Sequence, residues 1–177
     1  MTNWNAIVTR DGSLVWRTLW RLLGDRTDVE ECFQETFVAA LKLSRRQPID
    51  SWPAVLSRLA TARAMDRLRS RYRIRNLQRP QREQESLLAQ GSADALAAAV
   101  STEAGPTEQA IAAELSQRLR MALAQLPDKQ AELFYLFALD GWTQLDLAER
   151  FAMTENAVAV AIHRARQELK ELLHDEN

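Results

Sequence analysis

Residues 143–173 read TQLDLAERFAMTENAVAVAIHRARQELKELL. Two caps and two apolar stripes divide this stretch into a short helix and a long one. Thr143 is placed to cap the first, whose apolar residues are Leu145, Leu147, Ala148 and Phe151. Thr154 is placed to cap the second. At 100° per residue Val158, Ile162, Ala165, Leu169 and Leu172 form one narrow stripe that must face a core. Two helices separated by a few residues, the second carrying His and Arg, is the sequence form of a helix-turn-helix. Generic helical hairpins share that form. Val160 lies about 200° from Val158 on the wheel and so faces outward with Asn156, His163, Arg164 and Gln167. The outward face is poor in groups that hydrogen-bond a base.

The rest of the chain is also written in helical periods. Five Gly and five Pro among 177 residues, with few aromatics, predict an all-α protein. Leu14, Val15, Leu19, Leu22 and Leu23 make a stripe that stops at Gly24-Asp25. A second helix is expected from about Thr27-Asp28, capped by one of those two residues, with Val29, Phe33, Phe37, Ala40 and Leu41 inward. Gln47–Pro53 breaks the pattern. A third helix then runs from about Trp52 to Arg73, with Ser51 as its cap and Val55, Leu59, Ala62, Met65, Leu68 and Tyr72 as its inner stripe. Further on, Ile111, Leu115, Leu119 and Leu123 predict a helix ending at Leu126-Pro127. Asp128 is expected to cap the next, which contains Leu133, Phe134, Leu136 and Phe137 and ends at Asp140-Gly141. The stretch between is rich in Gln, Ser, Ala and Glu and reads as a flexible linker, with transient helix at Ala93–Val100. The expected organisation is a small helical domain over 1–75, a linker over 76–110, and a second helical domain over 111–177 that holds the helix-turn-helix.

A net charge of −1 hides a strong asymmetry. Residues 42–82 carry 12 Lys/Arg against two acids, whereas residues 83–177 carry seven against 16. A solvated helix face usually interleaves acids with its bases. Here Arg63, Arg67 and Arg71 fall on one outer face of the third helix, Arg58, Arg69 and Arg73 nearer its edges, and only Asp66 is interleaved. Such a block points to a polyanion, in the first instance the phosphates of nucleic acid. One cysteine and two separated histidines leave no disulfide and no structural zinc site, and neither metal nor cofactor is expected. No apolar run approaches the roughly 20 residues that span a bilayer, and no basic-then-apolar leader opens the chain, so a cytoplasmic protein without membrane insertion is expected. Gly-rich phosphate loops and Cys/His dyads are absent, which disfavours an enzyme.

Taken together, LVWRTLWRLLGDRTDVEECFQETFVAAL (14–41), WPAVLSRLATARAMDRLRSRYR (52–73) and LPDKQAELFYLFALDGWTQLDLAERFAMTENAVAVAIHRARQELKELL (126–173) resemble bacterial RNA polymerase sigma factors. The likeness is to the small extracytoplasmic-function (ECF) type. LLGDR, QETF, DRLR and HRAR stand in the family's order and spacing. The resemblance implies a transcription initiation factor that binds core RNA polymerase, at the clamp helices of the largest subunit and the flap of the second-largest, and directs it to promoter DNA. It also allows an anti-sigma factor as a partner. A two-domain regulator that binds DNA or polymerase without supporting initiation is the alternative.

The resemblance also assigns residues. Asp28, Glu31, Gln34 and Glu35 match the helix that docks on polymerase. Arg45, Arg46 and Trp52 match the segment that captures a flipped base of the −10 element; Trp52 at a helix start fits a core position as well as a stacking one. Arg58, Arg63, Arg67, Arg69, Arg71 and Arg73 match the element lying along the −10 duplex. Thr154, Asn156, Val160, His163, Arg164 and Arg166 match the helix that reads the −35 element. Within it, Val160 can meet a thymine methyl, Asn156 an adenine, and Arg164 and Arg166 phosphates. A protein partner covering Val160 is the competing reading. The chain departs from the family at Thr61-Ala62, where many members carry Arg-Asn, and in the net acidity of residues 83–177.

Overall fold

A computed structural model describes residues 2–78 and 106–174. Among the described residues there are seven helices and no strand: α1 (Trp4–Leu23), α2 (Arg26–Ser44), α3 (Trp52–Gln78), α4 (Pro106–Gln125), α5 (Asp128–Ala138), α6 (Gln144–Phe151) and α7 (Glu155–His174). The all-α class is as expected, but helix takes more of the chain than anticipated. Residues 76–78 and 106–110 are helical, while the rest of the expected linker, including Ala93–Val100, lies outside the described residues.

Local chemistry sets the ends. Asn3 accepts a bond from the Ala6 amide at 3.1 Å to start α1. Gly24, at φ 66°, closes it by donating its amide to the Trp20 carbonyl at 3.0 Å. The cap of α2 is Asp25, which accepts from the Asp28 amide at 3.0 Å, and neither Thr27 nor Asp28 has that role. With Gly24 in the left-handed conformation, the chain turns immediately and Asp25 is the residue left in extended geometry. The expected cap of α5 also shifts. Pro127 occupies the cap position and Asp128 is the first helical residue, its side chain turned to an arginine of α3.

Helix α3 is the axis of the molecule. It packs on α1 and α2 along one flank and on α4 and α5 along another. Its buried residues are accordingly Leu56, Ser57, Ala60, Thr61, Ala64, Met65 and Leu68, while Val55, Leu59, Ala62 and Tyr72 are only partly covered. The expected stripe was too narrow because it assumed one covered side. The small residues Ala60, Thr61 and Ala64 let neighbouring helices approach closely. Thr61 returns its hydroxyl to the Ser57 carbonyl at 2.9 Å. The departure from the family at Thr61 therefore sits in the core, where no base could be reached.

The C-terminal helices continue the same core through Leu123, Leu133, Leu136, Leu147, Val158 and Ile162, all essentially sealed. Ile111 and Leu115 are exposed, at 62% and 58%, so the inner stripe of α4 begins only with Leu119. Leu145 is exposed as well. The helix-turn-helix has the expected caps. Thr143 forms a reciprocal capping box with Asp146, and the Thr154 hydroxyl accepts from the Ala157 amide at 3.2 Å. Ala152 makes the turn between them in a left-handed conformation, φ 50° and ψ 50°. No helix among the described residues is long and apolar enough to cross a membrane.

Candidate nucleic-acid and polymerase interfaces

The acids of α2 and the arginines of α3 meet face to face. Asp28 is turned inward, with only 12% of its side chain exposed, and pairs with Arg71 and, at 3.6 Å, with Arg67. Asp25 reaches Arg71 at 3.5 Å, and Glu31 pairs closely with Arg67. Burial raises the Asp28 pKa above the usual carboxylate range, against the pull of Arg71 and then Arg67. Burial pulls the Arg67 pKa down, but the hydrogen bond from Arg67 to Glu31 and the charge of Asp28 outweigh it, for a net rise. Of the four residues assigned to docking, Gln34 and Glu35 are exposed and outward, Glu31 is exposed but tied to Arg67, and Asp28 is an internal brace. Val38, half exposed, lies one turn beyond Gln34.

The arginines of α3 likewise divide by what they touch. Arg67 and Arg71 are held by α2. Arg63 and Arg69 flank Asp66 at 4.0 and 3.8 Å. Arg69 also pairs with Asp128 of α5 at 3.0 Å. Arg58 donates to the Arg150 carbonyl at 2.7 Å, and its guanidinium lies 4.3 Å over the Phe151 ring. Arg73 is exposed. In the preceding loop Arg45 and Arg46 are exposed, whereas Trp52 is partly buried edge-on against Trp4, with ring centroids 5.0 Å apart. That contact is a packing role for Trp52.

On α7, Val158, Ile162, Ala165 and Leu169 are buried as expected. Thr154, Asn156, Val160, His163, Arg164 and Arg166 are all exposed, Val160 at 40%. Arg166 sits apart from the others, its guanidinium 5.6 Å from the Phe137 ring centre.

Long-range bonds between the helices escaped sequence reasoning. Tyr135, fully buried on α5, donates its hydroxyl to the Thr18 carbonyl of α1 at 3.3 Å, and burial pushes its pKa well up. Ser57 of α3 donates to Asp140. Arg120 of α4 is buried against α1, donating to the Arg21 carbonyl at 3.4 Å, and a β-carbon on Gly24 would stand 2.8 Å from its guanidinium. Burial, and then Arg71, lower the Arg120 pKa. Pairings so distant in sequence leave no periodic trace; the charged ones were signalled only by a basic segment, 42–82, beside an acidic one, 83–177.

Two family models match the chain: sigma-70 region 2 over residues 7–74, and sigma-70 region 4 over residues 116–169. The chain belongs to the sigma-70 family of RNA polymerase sigma factors. Within that family it is of the ECF type, as its relatives show. It is 25% identical over 173 residues to the ECF RNA polymerase sigma factor SigE of Mycolicibacterium smegmatis, covering 98% of this chain and 62% of that protein. Against the ECF RNA polymerase sigma factor SigW of Bacillus subtilis it is 25% identical over 167 residues, covering 91% and 83%. Over a shorter stretch of 71 residues it is 39% identical to the ECF RNA polymerase sigma factor SigD of Mycobacterium tuberculosis, or 40% of this chain and 34% of that one. The sigma factor RpoE of Bartonella quintana, solved with the anti-sigma factor NepR, matches over the whole of both chains at 16% identity and a TM-score of 0.52, which shows the shared fold.

Proposed function

We propose that this protein is a cytoplasmic transcription initiation factor that binds core RNA polymerase, directs it to promoters and helps melt the −10 region. The observation that carries this reading is the pairing, on one chain, of an arginine-lined helix in a region 2 fold with a capped helix-turn-helix in a region 4 fold. The work is done by binding energy, without a covalent step.

Glu35, Gln34 and the exposed side of Glu31 offer an acidic-amide face to basic residues of the polymerase clamp helices. Arg63 and Arg73, with Arg45 and Arg46 in the adjoining loop, supply cations to the −10 phosphates. Arg58 and Arg69 join them once released from their present partners. Asn156, Val160, His163 and Arg164 form the −35 reading face, in which Asn156 supplies hydrogen bonds, Val160 an apolar contact and Arg164 a phosphate anchor. An anti-sigma factor and the polymerase flap are further partners of this reading. Transcription in vitro with core polymerase and promoter fragments selected by the protein tests it. Promoter-dependent transcripts are expected; tight association with core polymerase that never yields a transcript would sink the proposal.

A further inference from the structure

We propose that the Arg58–Arg69 face of α3 is, in the free protein, a docking surface for the chain's own acidic α5–α6 corner, and that this corner and DNA compete for it. The inference rests on the proposed DNA role of these arginines.

The contacts are specific on both sides. Arg69 is 15% exposed, its guanidinium 3.0 Å from the carboxylate of Asp128. Glu132, one turn on, feels the charges of both Arg58 and Arg69. Arg58 is spent on the last turn of α6, through the Arg150 carbonyl and the face of Phe151. At the far end Asp140 takes the Ser57 hydroxyl and lies 4.0 Å from Arg21, which also donates to the Leu139 carbonyl at 3.3 Å. Carboxylates and a helix C-terminal carbonyl thus stand where phosphate oxygens would stand on bound DNA. Three of the acids of residues 83–177, Asp128, Glu132 and Asp140, thereby have a use within the chain.

The polar contacts of the corner add little to its hold. Glu132 has its pKa raised by burial, more than Arg58 and Arg69 offset. Side-chain atoms Arg69 Nη2, Gln130 Oε1 and Arg120 Nε are buried without a hydrogen-bond partner. An ion pair with one partner largely exposed adds little, and buried groups with unfilled hydrogen bonds cost their desolvation. A DNA strand offers the same arginines phosphates and releases condensed counterions on binding, a gain the acidic corner lacks. The outer face of α7 stays exposed throughout, so closure occupies the α3 surface and leaves the helix-turn-helix free.

The test uses the full chain with Asp128→Lys and Asp140→Lys together, and with Asp128→Lys alone as the milder variant, since the Asp128 side chain is 77% exposed. Retained helicity by circular dichroism qualifies each. Small-angle X-ray scattering reads closure. Fluorescence anisotropy of a fluorescein-labelled mixed-sequence DNA single strand reads the competition. Glu114→Lys, on an exposed site of α4, controls for added positive charge. A larger radius of gyration and severalfold tighter DNA binding are expected for the double variant, with a smaller step for Asp128→Lys and neither for Glu114→Lys. The charge exchange Arg69→Asp with Asp128→Arg is expected to restore the compact radius. Unchanged scattering in the double variant overturns the closure. An equal gain in DNA affinity from Glu114→Lys overturns the competition. Expansion with no DNA binding by any variant overturns the competition and the DNA reading of this face, while leaving closure standing.

Discussion

Helix α3 carries seven arginines, whereas the outward face of α7 is built around Val160 with Asn156, His163 and Arg164 beside it. Most of the α3 arginines already have partners: α2 acids hold Arg67 and Arg71, α5 holds Arg69 and α6 holds Arg58. The α7 face is nearly unpartnered and sparse. A charged surface can be occupied by any anion, including one from its own chain, so its availability depends on what else is bound. An apolar reading face does not attract the chain's own acids, but each interaction it makes is weak. On this comparison the chain would hold DNA with α3 under control of its own acids, and read DNA with an α7 face that its own acids leave open.

The largest expected effect comes from removing cations that lack a partner across the α2–α3 seam. Arg63→Glu with Arg73→Glu should lower promoter opening in vitro by at least about a hundredfold, taking about 1.5–3 kcal/mol for each charged hydrogen bond to phosphate that is removed. Core binding, followed by native gel shift, should not change. Arg67 would be a poor choice, because its replacement also strips Glu31 of its partner and Asp28 of one of its two. Opening that survives the double change would break the assignment of α3. Next in size is a contrast within α2. Asp28→Asn should leave core binding unchanged and, since burial has raised the Asp28 pKa and Glu31 and Asp25 still pair with Arg67 and Arg71, should not lower stability in urea unfolding at neutral pH. Glu35→Lys should leave unfolding unchanged and weaken core binding. The reverse pattern would return Asp28 to the docking surface.

A smaller effect separates the two helices by their response to salt. Val160→Ala should weaken binding to a −35 fragment by about 1 kcal/mol, because less apolar surface is buried against the groove, and leave the slope of log affinity against log salt unaltered. Arg63→Ala, measured on a −10 fragment, should reduce that slope by about 1. Equal slopes would show that both faces work through phosphates. The smallest effect is a matter of pH. Burial raises the Glu132 pKa, so its ionised form costs stability at neutral pH, and this cost is absent below the pKa it has in the unfolded chain. Glu132→Gln should therefore raise Tm at neutral pH, with the gain shrinking as pH falls through the raised pKa into the ordinary glutamate range. A gain that grew toward acid would reverse the sign assigned to this group.

What the sequence made legible was local. The helix-turn-helix stood out because Thr143, Thr154 and the Val158–Leu169 stripe each lie within one or two turns of what they act on. The cap of α2 was misplaced because the left-handed turn at Gly24 makes Asp25 the cap, and Thr27 and Asp28 look equally suitable on paper. The inner face of α3 was drawn too narrow, since a helix covered on two flanks loses the one-sided period on which such a reading depends. The mutual pairing of the α2 acids with the α3 arginines was invisible. Asp28 and Arg71 are far apart in sequence, and no periodicity relates them.

Gly24 closes α1, and the atom it lacks makes room for Arg120 from another part of the chain. Any side chain there would meet both a left-handed φ and an occupied volume. A screen of single substitutions would consequently register the absent methyl at Gly24 as if it were a bond between regions 2 and 4. The join between them is keyed in part by an empty space.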